Sequence, residues 1–88
     1  MNITINKAFI RDLKKISDKE LLGNVKKAVN NFEAIDNLSK MSNVKKLKNT
    51  DFLYRLKIKN YRLGFEYIDN NVTLLRFLHR KDIYKHFP

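Results

Sequence analysis

The segment Phe52-Leu53-Tyr54-Arg55-Leu56-Lys57-Ile58-Lys59-Asn60-Tyr61-Arg62-Leu63-Gly64-Phe65-Glu66-Tyr67-Ile68 decides the fold. From Tyr54 to Lys59, apolar or aromatic residues alternate with cations, the two-residue period of a strand with one buried face. Leu56 and Ile58 are expected to meet a core. Arg55, Lys57 and Lys59 are then expected to share the opposite, solvent-facing side. A second strand pattern runs from Tyr61 to Ile68, and only Asn60 separates it from the first. So short a connector implies antiparallel neighbours.

Two further strand patterns flank this pair, Val44 to Lys48 and Val72 to Leu78, joined through Asn49-Thr50-Asp51 and Asp69-Asn70-Asn71. Upstream the periodicity changes. Ile3 and Ile5 alternate with polar residues as in a short first strand, and Phe9, Leu13 and Ile16 form one helical stripe. Ser17 and Glu20 have the spacing of a capping box opening a second helix. Its apolar face is Leu21, Val25, Ala28, Phe32 and Ile35, widened by Leu22 and Val29, with Gly23 inside at a cost of about 1 kcal/mol relative to Ala. Residues 36–43 are turn-like, and the segment from Arg80 reads as a helical turn ended by Pro88. The expected fold is α+β in one domain spanning residues 1–88, ordered βααββββ. An antiparallel sheet carries a two-helix hairpin on one face and leaves the other open.

The chain has 88 residues, enough for one core. Nineteen basic and nine acidic residues give a net charge of +10. Residues 1–39 hold seven basic and five acidic groups, net +2, whereas residues 40–88 hold twelve and four, net +8. A polyanionic partner follows for the second half. Lys and Asn are abundant, at fourteen and eleven, but there are only five Arg, four of them at positions 55, 62, 76 and 80. Guanidinium offers a planar donor fork that an ammonium cannot, so the Arg positions are the stronger functional candidates. The absence of cysteine removes thiol chemistry and disulfides. No apolar run suggests a signal peptide or a membrane span, so a cytoplasmic protein without membrane contact is expected.

The closing segment His79-Arg80-Lys81-Asp82-Ile83-Tyr84-Lys85-His86-Phe87-Pro88 gathers imidazole, guanidinium, ammonium and phenol groups. Such groups hold a phosphate and move a proton beside it. Brought beside the strand cations Arg55, Lys57 and Arg62, they would form a cationic, nearly acid-free pocket for RNA. The two histidines lack metal-ligand spacing and no acidic cluster accompanies them, so neither a metal nor a cofactor is expected.

The βααββββ order, the pair Tyr54-Arg55-Leu56-Lys57 and Tyr61-Arg62, and the closing His79-Arg80-Lys81-Asp82-Ile83-Tyr84 together resemble the RelE/ParE superfamily of small toxins over essentially the whole chain. The resemblance implies one of two activities. RelE-type toxins are endoribonucleases that enter the ribosomal A site, against 16S rRNA, and cut mRNA there, inhibiting translation; the histidine spacing of this chain makes a metal-independent reaction the expectation. ParE-type toxins poison DNA gyrase and cut no RNA. Tyr61-Arg62 occurs in both branches, whereas Tyr84 preceded by His79 and Arg80 is closer to the nuclease branch. The resemblance also implies a cognate antitoxin, acidic where it faces residues 40–88.

RNA cleavage of this kind needs the 2′-hydroxyl to attack the neighbouring phosphate, a base, an acid, and fixed cations for the developing charge. Arg62 is the expected phosphate clamp. Arg80 is the second, unless it pairs with Asp82 or Glu66. By the resemblance, Arg55 and Lys57 occupy the positions of catalytic strand lysines, and Arg55 can only hold charge because it does not deprotonate. Tyr84 positions, stacks or transfers a proton. His79 suits proton transfer, although it also continues the alternation of Leu75 and Phe77 along one strand face. Lys45, Lys46, Lys48, Lys57, Lys59 and Lys81, with Arg55, are the expected RNA-binding cations.

Overall fold

A computed structural model describes all 88 residues. Strand β1 (Asn2–Ile5) leads into helix α1 (Lys7–Lys14) and helix α2 (Lys19–Ala34). A 3-10 turn at Leu38–Lys40 precedes the strands β2 (Val44–Lys46), β3 (Leu53–Ile58), β4 (Tyr61–Ile68) and β5 (Asn71–His79), and helix α3 (Arg80–His86) closes the chain.

Local chemistry sets these boundaries. Asn6 caps α1, its carboxamide oxygen accepting from the Ala8 N–H at 2.9 Å. Asp18, rather than the expected Ser17, caps α2 and accepts from the Glu20 and Leu21 N–H groups at 3.0 and 3.2 Å. A carboxylate there satisfies two free N–H groups and complements the helix dipole, which a hydroxyl one residue earlier cannot do. The β4–β5 turn is Asp69-Asn70, with φ of 49° and 64°. Two consecutive positive-φ residues of these types make the two-residue hairpin connection that suits strand twist.

The sheet order is β1-β5-β4-β3-β2. Strands β2 to β5 form the expected antiparallel meander, but β1 pairs parallel to β5, Asn2 opposite Asn71 and Ile5 opposite Leu74. Short loops dictate direction only for strands they join, and β1 reaches the sheet through two helices. One face of the sheet meets α1 and α2. There Phe9, Leu21, Val25, Ala28 and Phe32 pack on Leu56, Ile58, Leu63, Phe65, Val72, Leu74 and Phe77. The Phe32 and Phe65 rings meet edge to face at 4.9 Å.

The alternation along β5 breaks once. Gly64 faces Arg76 and Phe65 faces Leu74, so Leu75 has no partner, and the core residues are Leu74 and Phe77 rather than Leu75 and Phe77. Such a bulge bends the strand. Beside it lies an ion pair that the helical stripe did not reveal. Asp12, 5% exposed, accepts from Arg76 Nε at 2.8 Å, Arg76 Nη2 at 3.1 Å and the Phe77 N–H at 2.9 Å. The β1–β5 pairing stops at Leu74, so the carboxylate satisfies an edge N–H that β1 does not reach. Its hydrogen bonds and charge raise the Arg76 pKa above the ordinary value, against the opposing effect of burial.

Helix α3 covers part of the second face. Ile83 is fully buried and Phe87 nearly so, and α3 rests on β5 and β4. The Phe87 ring lies on Gly64, where a Cβ would meet it at 2.9 Å. The Arg80 N–H donates to the Asn60 carbonyl at 2.8 Å, fastening the start of α3 to the β3–β4 turn.

Candidate functional site

The face left open beside α3 is a cationic groove of about 340 Å³, lined by Asn43, Val44, Lys45, Arg55, Lys57, Arg62 and Tyr84. Strand register builds it. Lys45 lies opposite Arg55 across β2 and β3, and Lys57 opposite Arg62 across β3 and β4. Four cations therefore line the groove with no carboxylate among them. Like charges directly opposite one another destabilise a sheet, so this arrangement costs stability unless an anion occupies it.

Two of the groove's groups are held in place by other side chains or the backbone. Arg62 Nη1 donates to the Lys59 carbonyl at 3.0 Å and the Tyr61 carbonyl at 2.9 Å, leaving Nε and Nη2 without a protein acceptor. The Arg55 guanidinium carbon lies 4.5 Å from the centroid of the Tyr84 ring, a cation–π contact joining β3 to α3. Tyr84 is otherwise 68% exposed. Buried Ile83 and Phe87 fix the helix that carries it.

Asn43 and Val44 were not among the expected site residues. Asn43 has φ of 64°, and its carbonyl accepts from the Lys57 N–H at 3.0 Å. Asn takes this left-handed backbone more readily than most residues. Nothing marked Asn43 among eleven Asn in the sequence.

Other expected residues lie elsewhere. Lys59 does not share the face of Arg55 and Lys57: it sits in the β3–β4 turn with φ of 53°, and its ammonium pairs with Glu20 of α2. The strand ends at Ile58, so the alternation stops before Lys59. Lys46 lies opposite Tyr54, on the helix side of the sheet, and reaches Asp51 at 3.4 Å. Lys48 is exposed in the turn after β2. His79 stands opposite Tyr61, its ring edge-on to that phenol, and its Nδ1 accepts from the Lys81 N–H at 3.2 Å as the cap of α3. Arg80 and Lys81 are exposed in the first turn of α3 and do not line the groove. Nowhere do three His, Cys, Asp or Glu side chains converge as metal ligands. No helix is long and apolar enough to cross a membrane.

A family model described as the ParE toxin of the type II toxin–antitoxin system parDE matches residues 3–84. The chain belongs to the ParE toxin family. A toxin of this family is a RelE/ParE superfamily member, and the relatives agree. Toxin RelE3 of Methanocaldococcus jannaschii is 30% identical over the full length of both chains. The crystal structure of a RelB-RelE antitoxin-toxin complex from Methanococcus jannaschii superposes with a TM-score of 0.82 at 29% identity, covering 97% of this chain and 99% of that one. The YoeB dimer of Staphylococcus aureus shares the fold, with a TM-score of 0.72 at 20% identity over 90% of this chain and 95% of that one. The three-helix, five-strand mixed sheet of this ParE-family toxin is thus the RelE/YoeB architecture.

Proposed function

We propose that this toxin is a ribosome-dependent mRNA endonuclease and that the groove of Arg55, Lys57, Arg62 and Tyr84 is its active site. The observation that carries this reading is the groove's composition: four cations and a phenol at one opening, with no carboxylate. A phosphodiester fits that chemistry.

The free Arg62 donors hold the non-bridging oxygens of the scissile phosphate, and Lys45 and Arg55 add fixed positive charge. The RNA 2′-hydroxyl attacks phosphorus. The amine nitrogen of Lys57 accepts the hydroxyl proton as the base. The bond from O2′ to phosphorus forms and the bond from phosphorus to O5′ breaks. The Tyr84 hydroxyl delivers its proton to the departing 5′-oxygen, leaving a 2′,3′-cyclic phosphate and a 5′-hydroxyl. No step runs through a metal or a cofactor. Charge on the phosphate grows in the transition state, so preorganised cations lower the barrier. Arg80 and Lys81 lie outside the chemistry and serve 16S rRNA docking, and His79 serves by holding the start of α3.

Relatives solved with RelB support an antitoxin as the partner, and the cationic surface of residues 40–88 calls for one that is acidic where it faces them. The compartment of such a reaction is the cytoplasm. A second reading, inhibition of DNA gyrase without nuclease activity, is favoured by the ParE description of the family model.

The test maps 5′ ends of cellular mRNA within minutes of induction, beside an Arg62→Ala, Tyr84→Phe double variant. New ends in a fixed codon phase, absent from the variant, support the nuclease. Intact mRNA with damaged chromosomal DNA supports gyrase.

A further inference from the structure

A second opening, of about 380 Å³, lies on the other side of the β2–β3 edge, between that edge and α2. It adjoins the candidate active site, because Asn43 and Lys57 line both. The helix contributes Asn24, Lys27, Ala28 and Asn31, whose spacing places them on one stripe. Resting on the proposed RNA-cleaving role of the first groove, we propose that this second groove is a base-binding subsite for a nucleotide flanking the scissile phosphate.

The character of the two grooves differs in the way one RNA strand requires. The first holds cations and suits phosphate. The second has an apolar floor, including Met41, Leu56 and Ile58, with carboxamides around it from Asn24, Asn31 and Asn43. An unstacked base needs an apolar surface for its flat faces and donor–acceptor groups for its edge. Its volume falls within the range of small-ligand pockets. Asn24 and Asn31 make no side-chain hydrogen bond within the protein, so their amides are free for a ligand. The lysines at the rim divide into two kinds. Lys40 and Lys59 are held by Asp36 and Glu20, while Lys27 and Lys57 pair with no carboxylate. Lys27 is therefore the uncommitted ammonium beside the floor, since the Lys57 side chain lies with Arg62 on the opposite face of the sheet, and it suits a phosphate next to a bound base. Adenine offers the edge that a carboxamide matches with two hydrogen bonds, so adenine is expected to fit best.

The test uses the full-length toxin and uncleavable 2′-O-methyl oligoribonucleotides, a dinucleotide and an octanucleotide, with affinity read by fluorescence anisotropy at fixed salt. The parent is expected to bind an adenine-rich octamer about tenfold more tightly than the dinucleotide. A Lys27→Ala, Asn31→Ala double variant is expected to lose that gain and keep the parent's dinucleotide affinity. Both substitutions are at exposed positions. Arg62→Ala is expected to weaken both probes alike. If the parent binds neither, the RNA reading itself fails. If the parent binds both but the double variant keeps the octamer gain, the subsite is overturned and the first groove stands. If the double variant changes no RNA affinity but weakens an acidic antitoxin-derived peptide, the groove belongs to a protein partner and the proposal is likewise overturned.

Discussion

Lys57 and Arg62 stand directly opposite each other across β3 and β4. A sheet gains from opposite charges or apolar pairs at such positions and loses from like charges. Here the same juxtaposition recurs one strand over, between Lys45 and Arg55. The sheet therefore carries a local repulsion that an anionic ligand would relieve.

Replacing Lys57 by Gln should accordingly raise stability by about 0.2–1 kcal/mol while lowering RNA cleavage. Urea unfolding at low and high salt checks this. Parent stability should rise with salt as the repulsion is screened, and the variant should respond less. A variant that is less stable than the parent at low salt contradicts the expectation.

Arg62→Ala should slow cleavage by about 10²–10³-fold, the usual cost of losing one preorganised donor to a developing oxyanion. Tyr84→Phe separates proton transfer from placement. The ring over Arg55 remains, so a loss of about 10²–10⁴-fold in rate identifies the hydroxyl as the acid. Full activity in Tyr84→Phe would remove the phenol from the chemistry.

Asp12→Ala should cost about 1–3 kcal/mol, because it leaves the buried Phe77 N–H without an acceptor and the partly exposed Arg76 without its partner. Denaturant midpoints measure it. Converting Asp12 and Arg76 together to Leu should recover only the share due to the unpaired guanidinium, since the Phe77 N–H still lacks an acceptor.

Gly64→Ala forces its new methyl against the Phe87 ring. The expected cost is about 1–3 kcal/mol from overpacking, with reduced cleavage as α3 shifts Tyr84. Adding Phe87→Ala should give less than the sum of the two single losses. Strict additivity would mean that the ring and Gly64 do not constrain each other.

Cleavage should proceed unchanged in excess chelator. Loss of activity that a divalent ion restores would place a metal in the mechanism.

The sequence displayed what local periodicity can encode. Leu21, Val25, Ala28 and Phe32 marked the buried face of α2, and Leu56 and Ile58 the core side of β3. The helical segment after His79 was legible as well. Features that depend on distant partners were not. Asp12 is a carboxylate three residues after Phe9, and only the Arg76 guanidinium and the Phe77 N–H of the distant β5 explain its burial. The bulge at Leu75 shifts a strand face without disturbing its composition. Lys59 continues the alternation of β3 in sequence, yet a positive φ turns it toward α2. The scarcity of Arg was a partial guide. Arg55 and Arg62 enter the groove, Arg76 serves the buried ion pair, and Arg80 begins α3.

The parallel pairing of Asn2 with Asn71 has a consequence for synthesis. Strand β1 cannot settle until the sequence-distant β5 has been made, so this pairing raises the contact order and favours slow, late folding. The candidate groove also needs Tyr84, which comes after β5. While it is being translated the toxin is an unfinished sheet, with its groove incomplete. If the groove acts on the ribosome as proposed, a chain built this way spares the ribosome that makes it until β5 and α3 have emerged, which gives an antitoxin time to meet it.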